Sequence, residues 1–329
     1  MRLTILLIIF LIIMSTIFLW QGIYLPKSFV SGREKIFLIE QGQSFLEISE
    51  NLEKEGLIQN RIPCIIYLFL TGKYKQLQAG RYSLSSVMAV PEMVEKIISG
   101  KIAEIKITIP EGFTLKQIED RLIEKQLPVN GGITNRKITL YKEGFDFLTG
   151  LSNKINLEGF LFPDTYYFAY EVTFDQILRK MLENFGEQIA LYQSKITDSD
   201  FSLFEIITMA SLIEKEVRTL EDKKLVSGIL WKRLENNMPL QVDATITYIT
   251  GKKTVKVTLE DLKIDSPYNT YKYKGLPAGP ICNPGLESIQ AALYLEESEY
   301  WFYLSTPEGE TIFSKTLEEH QIAKNKYLK

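Results

Sequence analysis

Two glutamates in the second half of the chain, Glu214 and Glu216, have a residue type and spacing suited to acid–base chemistry. They follow an apolar run that predicts a helix from Leu203 to Leu220. With Glu216 set at 0° on a wheel of about 100° per residue, its apolar neighbours are Met209 at about 20°, Leu212 at about −40°, Ile213 at about 60° and Leu220 at about 40°. A carboxyl in an apolar wall is costly to ionise, so its protonated form is favoured, as a general acid requires.

The same wheel places Glu214 at about 160°, on the far edge of the apolar stripe beside Ile207 and Ala210. The two carboxyls are about 200° apart and cannot both face one cleft. An alternative interpretation puts Glu216 at the rim of the stripe, paired with a lysine or arginine, and in an arbitrary helix this is the commoner case.

Composition narrows the chemistry. The chain has 329 residues, 45% of them hydrophobic and 24% charged, with a net charge of −3. This length predicts two to three domains with their own cores, and the near-balanced charge without a basic run argues against a nucleic-acid partner. A single histidine, His320, excludes a His–His metal pair, and two cysteines, Cys64 and Cys282, exclude a Cys-rich zinc site or a disulfide framework. The chemistry must therefore use mainly carboxylates, hydroxyls and amides.

Further candidate residues come from three segments. Leu157 to Tyr167 places Glu158 and Asp164 in an apolar, proline-broken run, where acids need partners or a task, although Asp164 could simply cap a turn. In Met238 to Tyr248, Gln241, Asp243 and Thr245 alternate with apolar residues, which predicts a strand with one polar edge. That edge could equally face solvent.

The third segment runs from Asp265 to Tyr271 and continues through a Gly-Leu-Pro loop to Gly285. It is dense in Pro, Gly, Asn and Tyr, which fix loop geometry and offer amide and phenol hydrogen bonds. Asn269 and Tyr271 would suit polysaccharide recognition, and a structured surface loop is the alternative.

The amino terminus predicts a membrane anchor. No charged side chain lies between Leu3 and Pro26, and these 24 residues would span ~36 Å as a helix, enough for a ~30 Å hydrocarbon core. Trp20 and Tyr24 lie where an aromatic belt is expected. A cleaved signal peptide is the rival interpretation, but Trp20-Gln21-Gly22 supplies no small-x-small cleavage site. The flanking charges do not fix the orientation.

An internal repeat follows: residues 39–52 recur as residues 109–122. Each copy predicts a short strand, a glycine turn and a helix that starts with a capping box, Ser44 with Glu47 and Thr114 with Gln117. Such units resemble LysM-like carbohydrate-binding modules, and a packing module that acts as a spacer is the alternative. A Pro- and Gly-containing linker near residue 130 completes the predicted organisation: an anchor at 1–26, a small LysM-like α+β module at 30–130, and a larger mixed α/β catalytic domain at 131–329.

Four motifs together resemble a known family. They are Ala210-Ser-Leu-Ile-Glu-Lys-Glu216, Leu157-Glu-Gly-Phe-Leu-Phe-Pro-Asp-Thr-Tyr166, Leu240-Gln-Val-Asp-Ala-Thr245, and Ser266-Pro-Tyr-Asn-Thr-Tyr271 with the Gly-Leu-Pro loop. In this order they resemble the YceG-like endolytic murein transglycosylases, with departures at Val242, Ala244 and Ala278 that leave the carboxyl in place.

The resemblance implies a membrane-anchored enzyme that cleaves the bond between N-acetylmuramic acid and N-acetylglucosamine in peptidoglycan and leaves 1,6-anhydro ends. It implies that Glu216 is the catalytic acid, that Glu158, Gln241, Asp243, Asn269 and Tyr271 orient sugar and acid, and that no metal or organic cofactor is needed. It further implies a single pass in the cytoplasmic membrane with the catalytic domain on the outer side, and peptidoglycan synthases as possible partners. Two alternatives stay open: a muramidase-type hydrolase with Asp243 or Glu158 as second carboxylate, and a non-catalytic wall-binding scaffold.

Overall fold

The computed structural model describes residues 2–30, 32–252 and 257–328. The protein is a mixed α+β chain that divides into two compact units. The first comprises Met1–Ile105 with Phe168–Glu171, and the second comprises Lys106–Tyr167 with Val172–Lys329.

The chain begins with helix α1 (Arg2–Tyr24), which has a mean hydropathy of 2.8 and no buried residue. Among the described residues it is the one helix long and apolar enough to cross a membrane. Near its end, Gly22 faces the ring of Pro63 so closely that a Cβ at position 22 would lie 2.5 Å from Pro63 Cγ. Because glycine has no Cβ, α1 can pack directly against the segment of the first unit that contains Pro63.

The rest of the first unit is a small α+β structure. Its elements are β1 (Lys35–Ile39), α2 (Phe45–Lys54), α3 (Arg61–Leu70), β2 (Gly80–Leu84) and α4 (Val90–Ile98). Strands β1 and β2 pair antiparallel, with Lys35 opposite Leu84 and Ile39 opposite Gly80. Apolar side chains of the strands and helices, among them Phe37, Leu52, Tyr82 and Met93, are fully buried and form one core.

The second unit is larger and mostly helical. Its helices are α5 (Leu115–Glu124), α6 (Phe174–Ala190), α7 (Gln193–Thr197), α8 (Leu203–Glu216), α9 (Leu220–Glu235), α10 (Asp243–Thr250), α11 (Leu286–Leu293) and α12 (Leu317–Tyr327). Its strands β5 (Phe302–Ser305) and β6 (Thr311–Ser314) pair antiparallel. A further two-stranded sheet joins β3 (Glu104–Thr108) to β4 (Thr165–Ala169), in the segments where the two units divide.

Both copies of the repeat have the predicted local structure. Ser44 and Thr114 cap their helices with the expected capping boxes: each side chain accepts the backbone N–H of position N3, and each backbone N–H donates to the side chain at N3. The glycines before them, Gly42 and Gly112, have φ of 82° and 74°, which favours a residue without a Cβ. The copies nevertheless lie in different units, because residues 106–130 group with the second unit and not with the first. The three-part assignment at 1–26, 30–130 and 131–329 stays a prediction.

Two local predictions are wrong. The helix predicted to reach Leu220 ends at Glu216, because Val217 is extended (φ −142°, ψ 162°) and Thr219 caps the start of α9. The segment predicted as a strand at 238–248 instead contains helix α10 from Asp243. Its buried residues Val242, Thr245 and Ile246 have the helical spacing i, i+3, i+4, which the alternating pattern also contains.

Candidate active site

Glu216 is the last residue of α8, and its half-buried side chain lies where three segments meet. Apolar residues of its own helix, Met209, Leu212 and Ile213, are fully buried, as the wheel predicts. The main-chain carbonyl of Glu216 accepts a hydrogen bond from Ser305 Oγ at 3.1 Å, which fastens the end of α8 to β5. The end of this helix is therefore fixed in position by a second element.

Two donor groups lie near the Glu216 carboxyl and lower its pKa: the hydroxyl of Tyr303 on β5 and the backbone N–H of Ala244 at the start of α10. The first N–H groups of a helix have no partner within the helix, so the Ala244 N–H is free to donate. Burial raises the pKa of Glu216 to about 7, and the charge of Asp243 adds to the rise. The Tyr303 hydroxyl and the Ala244 N–H act in the opposite direction because they favour the ionised carboxylate. A carboxyl with a pKa near neutrality can both give and take a proton.

Asp243 and Tyr271 form the next pair. The Tyr271 hydroxyl donates a short hydrogen bond to Asp243 Oδ1, and burial, followed by this bond, raises the pKa of the Tyr271 phenol. Because Asp243 precedes Ala244, this pair lies beside the donor of Glu216. Asp243 and Tyr271, predicted from separate motifs, are thus brought together with Glu216.

Sequence reasoning missed Tyr303 and Arg233. The Arg233 side chain is 6% exposed, and its Nε and Nη1 donate to the carbonyls of Trp301 at 2.9 Å and Leu240 at 3.0 Å. It therefore ties the start of β5 to the segment before α10, the two places that supply the donors of Glu216. A signal was present for Arg233, since it occupies the i+7 position of an apolar stripe with Val226, Ile229 and Leu230 on α9. For Tyr303, on a short strand far along the chain, no local pattern stands out.

Glu214 has a different environment. Its Oε2 accepts hydrogen bonds from Ser288 Oγ at 2.6 Å and from the Gly285 N–H at 3.1 Å, and Lys223 Nζ lies 3.6 Å away. Lys223 is itself buried and also lies 3.5 Å from Glu287. These contacts hold α8, α9 and α11 together, so Glu214 finds partners on its own side of the helix, as the wheel predicts.

Glu158 is only 4% exposed and links several elements of the second unit. Its Oε1 accepts from the Leu115 N–H at 3.0 Å and from Asn283 Nδ2 at 3.2 Å, and its Oε2 accepts from the Tyr248 hydroxyl at 3.3 Å. Burial raises the pKa of Glu158 to about 8, and the hydrogen bonds from Leu115 and Tyr248 oppose the rise. Asp164 Oδ1 accepts from the Thr165 N–H at the start of β4 at 2.6 Å, and its Oδ2 accepts from Asn184 Nδ2 of α6 at 2.9 Å.

The remaining predicted site residues lie in loops. Asn269 is buried, and its amide group bonds to the backbone of its own loop: Nδ2 donates to Leu262 and Ile264, and Oδ1 accepts from Tyr271 and Lys272. Asn269 thus shapes the segment that presents Tyr271. Gln241 is exposed and adopts φ 54°, two residues before Asp243. Substrate contacts of Gln241 and Asn269 stay predictions.

A cavity of about 440 Å³ also opens in the second unit. It is lined by Thr134, Asn135, Lys137, Lys154, Ile155, Asn156, Glu158, Phe204, Tyr268, Ala278, Gly279 and Pro280. Within the described ranges, no group of three or more His, Cys, Asp or Glu side chains is arranged to hold a metal ion.

Fold and site together define an α+β protein in which Glu216 is a half-buried carboxyl at a helix end, with a pKa raised to about 7. The chain belongs to the YceG-like family, whose family model matches residues 37–326. It is 35% identical over 305 residues to a Bacillus subtilis protein named endolytic murein transglycosylase, covering 88% of this chain and 84% of that one. A Streptococcus pneumoniae protein of the same name is 30% identical over 313 residues, covering 86% of this chain and 56% of that one. The crystal structure of a yceG-like protein from Listeria monocytogenes aligns with a TM-score of 0.63 and 36% identity, covering 89% of this chain and all of that one.

Proposed function

We propose that this chain is an endolytic murein transglycosylase and that Glu216 is its catalytic acid. The observation that carries the proposal is the environment of Glu216: a half-buried carboxyl at a helix end, with a pKa of about 7 and two donor groups beside it. Family membership and relatives that carry this name support the substrate class.

In the proposed reaction, the protonated Glu216 donates its proton to the glycosidic oxygen that leaves C1 of the muramic acid unit. The muramyl C6 hydroxyl then attacks C1 and gives its proton to the Glu216 carboxylate, so the acid is restored. One C–O bond breaks, one forms, and no water is consumed, which leaves a 1,6-anhydro end. A single carboxyl suffices because no attacking water needs a second base, unlike in most glycosidases.

Asp243 gives one specific argument for the alternative, a muramidase-type hydrolase. Its charge influences Glu216, so two carboxyls are electrostatically coupled in this site, as hydrolysis with a general base or nucleophile would need. Mass spectrometry of digested glycan separates the reactions, because a reducing end weighs one water more than an anhydro end.

The experiment uses the full chain in detergent on purified sacculi, with wild type and Glu216→Gln in parallel. We expect anhydro-ended fragments from wild type and none from the variant. Reducing ends from wild type would indicate the hydrolase. Absence of cleavage by wild type, together with unchanged strand lengths in cells that carry Glu216→Gln, would indicate a wall-binding scaffold.

We further propose that α1 anchors the enzyme in the cytoplasmic membrane, with the catalytic unit on the outer side beside peptidoglycan synthases. The length and hydropathy of α1 support the anchor. A reporter fused after Lys329 tests the side, since an outside-active reporter should be active and an inside-active one silent. A LysM-like, glycan-binding role for the β1–α2 unit belongs to the same proposal.

A further inference from the structure

The cavity of about 440 Å³ lies at a distance from the proposed catalytic acid. Phe204 of its wall is on the same helix as Glu216, 12 residues earlier, which corresponds to about 18 Å along the helix axis. Tyr268 of the wall is in the same loop as Tyr271, whose hydroxyl binds Asp243. Helix α8 and this loop therefore fix the cavity relative to the acid, a few sugar units away along an extended strand.

The charge of the cavity wall is positive. Lys137 and Lys154 are exposed, and within residues 2–30, 32–252 and 257–328 neither forms an ion pair. The one carboxyl in the wall is Glu158, which is buried and already accepts three hydrogen bonds from protein groups. Its raised pKa keeps it largely neutral near pH 7. Two uncompensated ammonium groups at the mouth of a cavity attract an anionic ligand.

The uncharged part of the wall suits a saccharide or peptide backbone. Phe204 and Pro280 offer apolar faces, and the Tyr268 ring, packed 5.0 Å from the Tyr248 ring, is held in place. Asn135 and Thr134 add exposed amide and hydroxyl groups that can donate and accept hydrogen bonds. Apolar faces with a few polar groups are the usual composition of a ligand site.

We propose that this cavity is a second substrate site, which binds a peptide-bearing saccharide of the glycan strand through the carboxylates of its stem peptide. The inference rests on the proposed function, because that function supplies the strand. A strand without peptides keeps one lactyl carboxylate on each muramic acid unit, close to the sugar ring, whereas a stem peptide carries its free carboxylates further from the ring, within reach of both lysines. Lys137 and Lys154 pair with these carboxylates, while the sugar or peptide backbone lies on Tyr268 and Phe204. Binding remote from the cleaved bond also favours long strands over short fragments, as an endolytic enzyme requires.

The test compares uncrosslinked peptide-bearing strands with the same strands stripped of peptides by an amidase. For Lys137→Ala/Lys154→Ala we expect KM on peptide-bearing strands to rise roughly three- to tenfold, in the range of two exposed charge pairs, with kcat unchanged. On stripped strands, which keep only the lactyl carboxylate of each muramic acid unit, the rise in KM should be clearly smaller. Lys125→Ala/Lys263→Ala removes the same charge from exposed positions of the second unit outside the cavity, and should match wild type on both substrates.

A binding measurement keeps the inference independent of turnover. Calorimetry with a disaccharide–peptide and with the disaccharide alone should show tighter binding of the former, and the double variant should lose that difference. Equal binding of the two ligands, or equal loss on both substrates in the variant, would overturn the second site. If wild type cleaves neither strand but still prefers the disaccharide–peptide, the proposed function fails and the cavity assignment stands.

Discussion

The Tyr303 hydroxyl lies beside the Glu216 carboxyl and favours its ionised form, although the two residues belong to elements far apart in the sequence. Two residues further along β5, Ser305 Oγ donates a hydrogen bond to the main-chain carbonyl of Glu216 at 3.1 Å. Strand β5 therefore contacts both the backbone and the side chain of the proposed acid. Its orientation depends on β5 as well as on α8.

The first prediction separates the two glutamates of the signature. Glu216→Gln should lower kcat by roughly 10²- to 10⁴-fold, the usual contribution of a general acid, with the fold retained. Glu214→Gln should keep measurable turnover but lose stability, because Lys223 is buried and loses a charged partner. Release of anhydro-ended glycan and thermal unfolding measure the two effects. An active Glu216 variant beside a dead Glu214 variant would reverse the assignment.

The second prediction concerns the phenol. Tyr303→Phe removes a donor that favours the ionised carboxylate, so the pKa of Glu216 should rise above about 7. The protonated acid then persists to higher pH, and the alkaline limb of the pH–rate profile should move upward. Tyr300→Phe, a nearby tyrosine that packs on Phe313, is the matched control and should leave the limb in place.

The third prediction is a shift in the opposite direction. Asp243→Asn removes a negative charge that disfavours ionisation of Glu216, so the pKa of Glu216 should fall below about 7. The alkaline limb should therefore move to lower pH. The same digest bears on the alternative reaction, because a hydrolase that needs Asp243 would lose its reducing-end products. If the alkaline limb of the pH–rate profile moved in the same direction in Tyr303→Phe and in Asp243→Asn, that result would contradict this electrostatic account.

The fourth prediction links Glu158 to stability. Its pKa is about 8 in the folded protein, against 4.5 for the ordinary group, so the folded state binds more protons between these values. The free energy of unfolding should consequently fall as pH rises from about 4.5 to about 8. Glu158→Gln, which resembles the protonated form, should flatten this dependence in denaturant titrations. Because Glu216 contributes a similar but narrower slope, Glu216→Gln serves as the comparison. An unchanged slope in Glu158→Gln would show that Glu158 is not protonated in this range.

The features that can be predicted from the sequence are those that depend only on residues close together along the chain. The wheel identifies Glu216 because a helix places residues three and four apart on one face, whatever the rest of the chain does. The capping boxes at Ser44 and Thr114 are predictable for the same reason, since all their atoms lie within four residues.

The remaining parts depend on long-range contacts. Tyr303 reaches Glu216 only because β5 packs at the end of α8, and the clamp of Arg233 on Trp301 and Leu240 arises from the same tertiary arrangement. Asn269 is read from composition as a sugar ligand, whereas its amide is engaged by the backbone of its loop. Residue type shows which bonds a side chain can make, but burial decides which partner it meets.

The contact of Gly22 with Pro63 has a mechanical consequence. A membrane-spanning helix that was connected to the rest of the first unit by a flexible linker would let that unit rotate freely. Helix α1 instead packs against α3 before it ends, which restricts rotation at this point. In the anchored enzyme, the first unit would then have a fixed distance from the lipid surface and a fixed orientation relative to it. A larger residue at position 22 would push α1 away from Pro63. The connection between the anchor and the rest of the first unit would then be less rigid, while the length of α1 would not change.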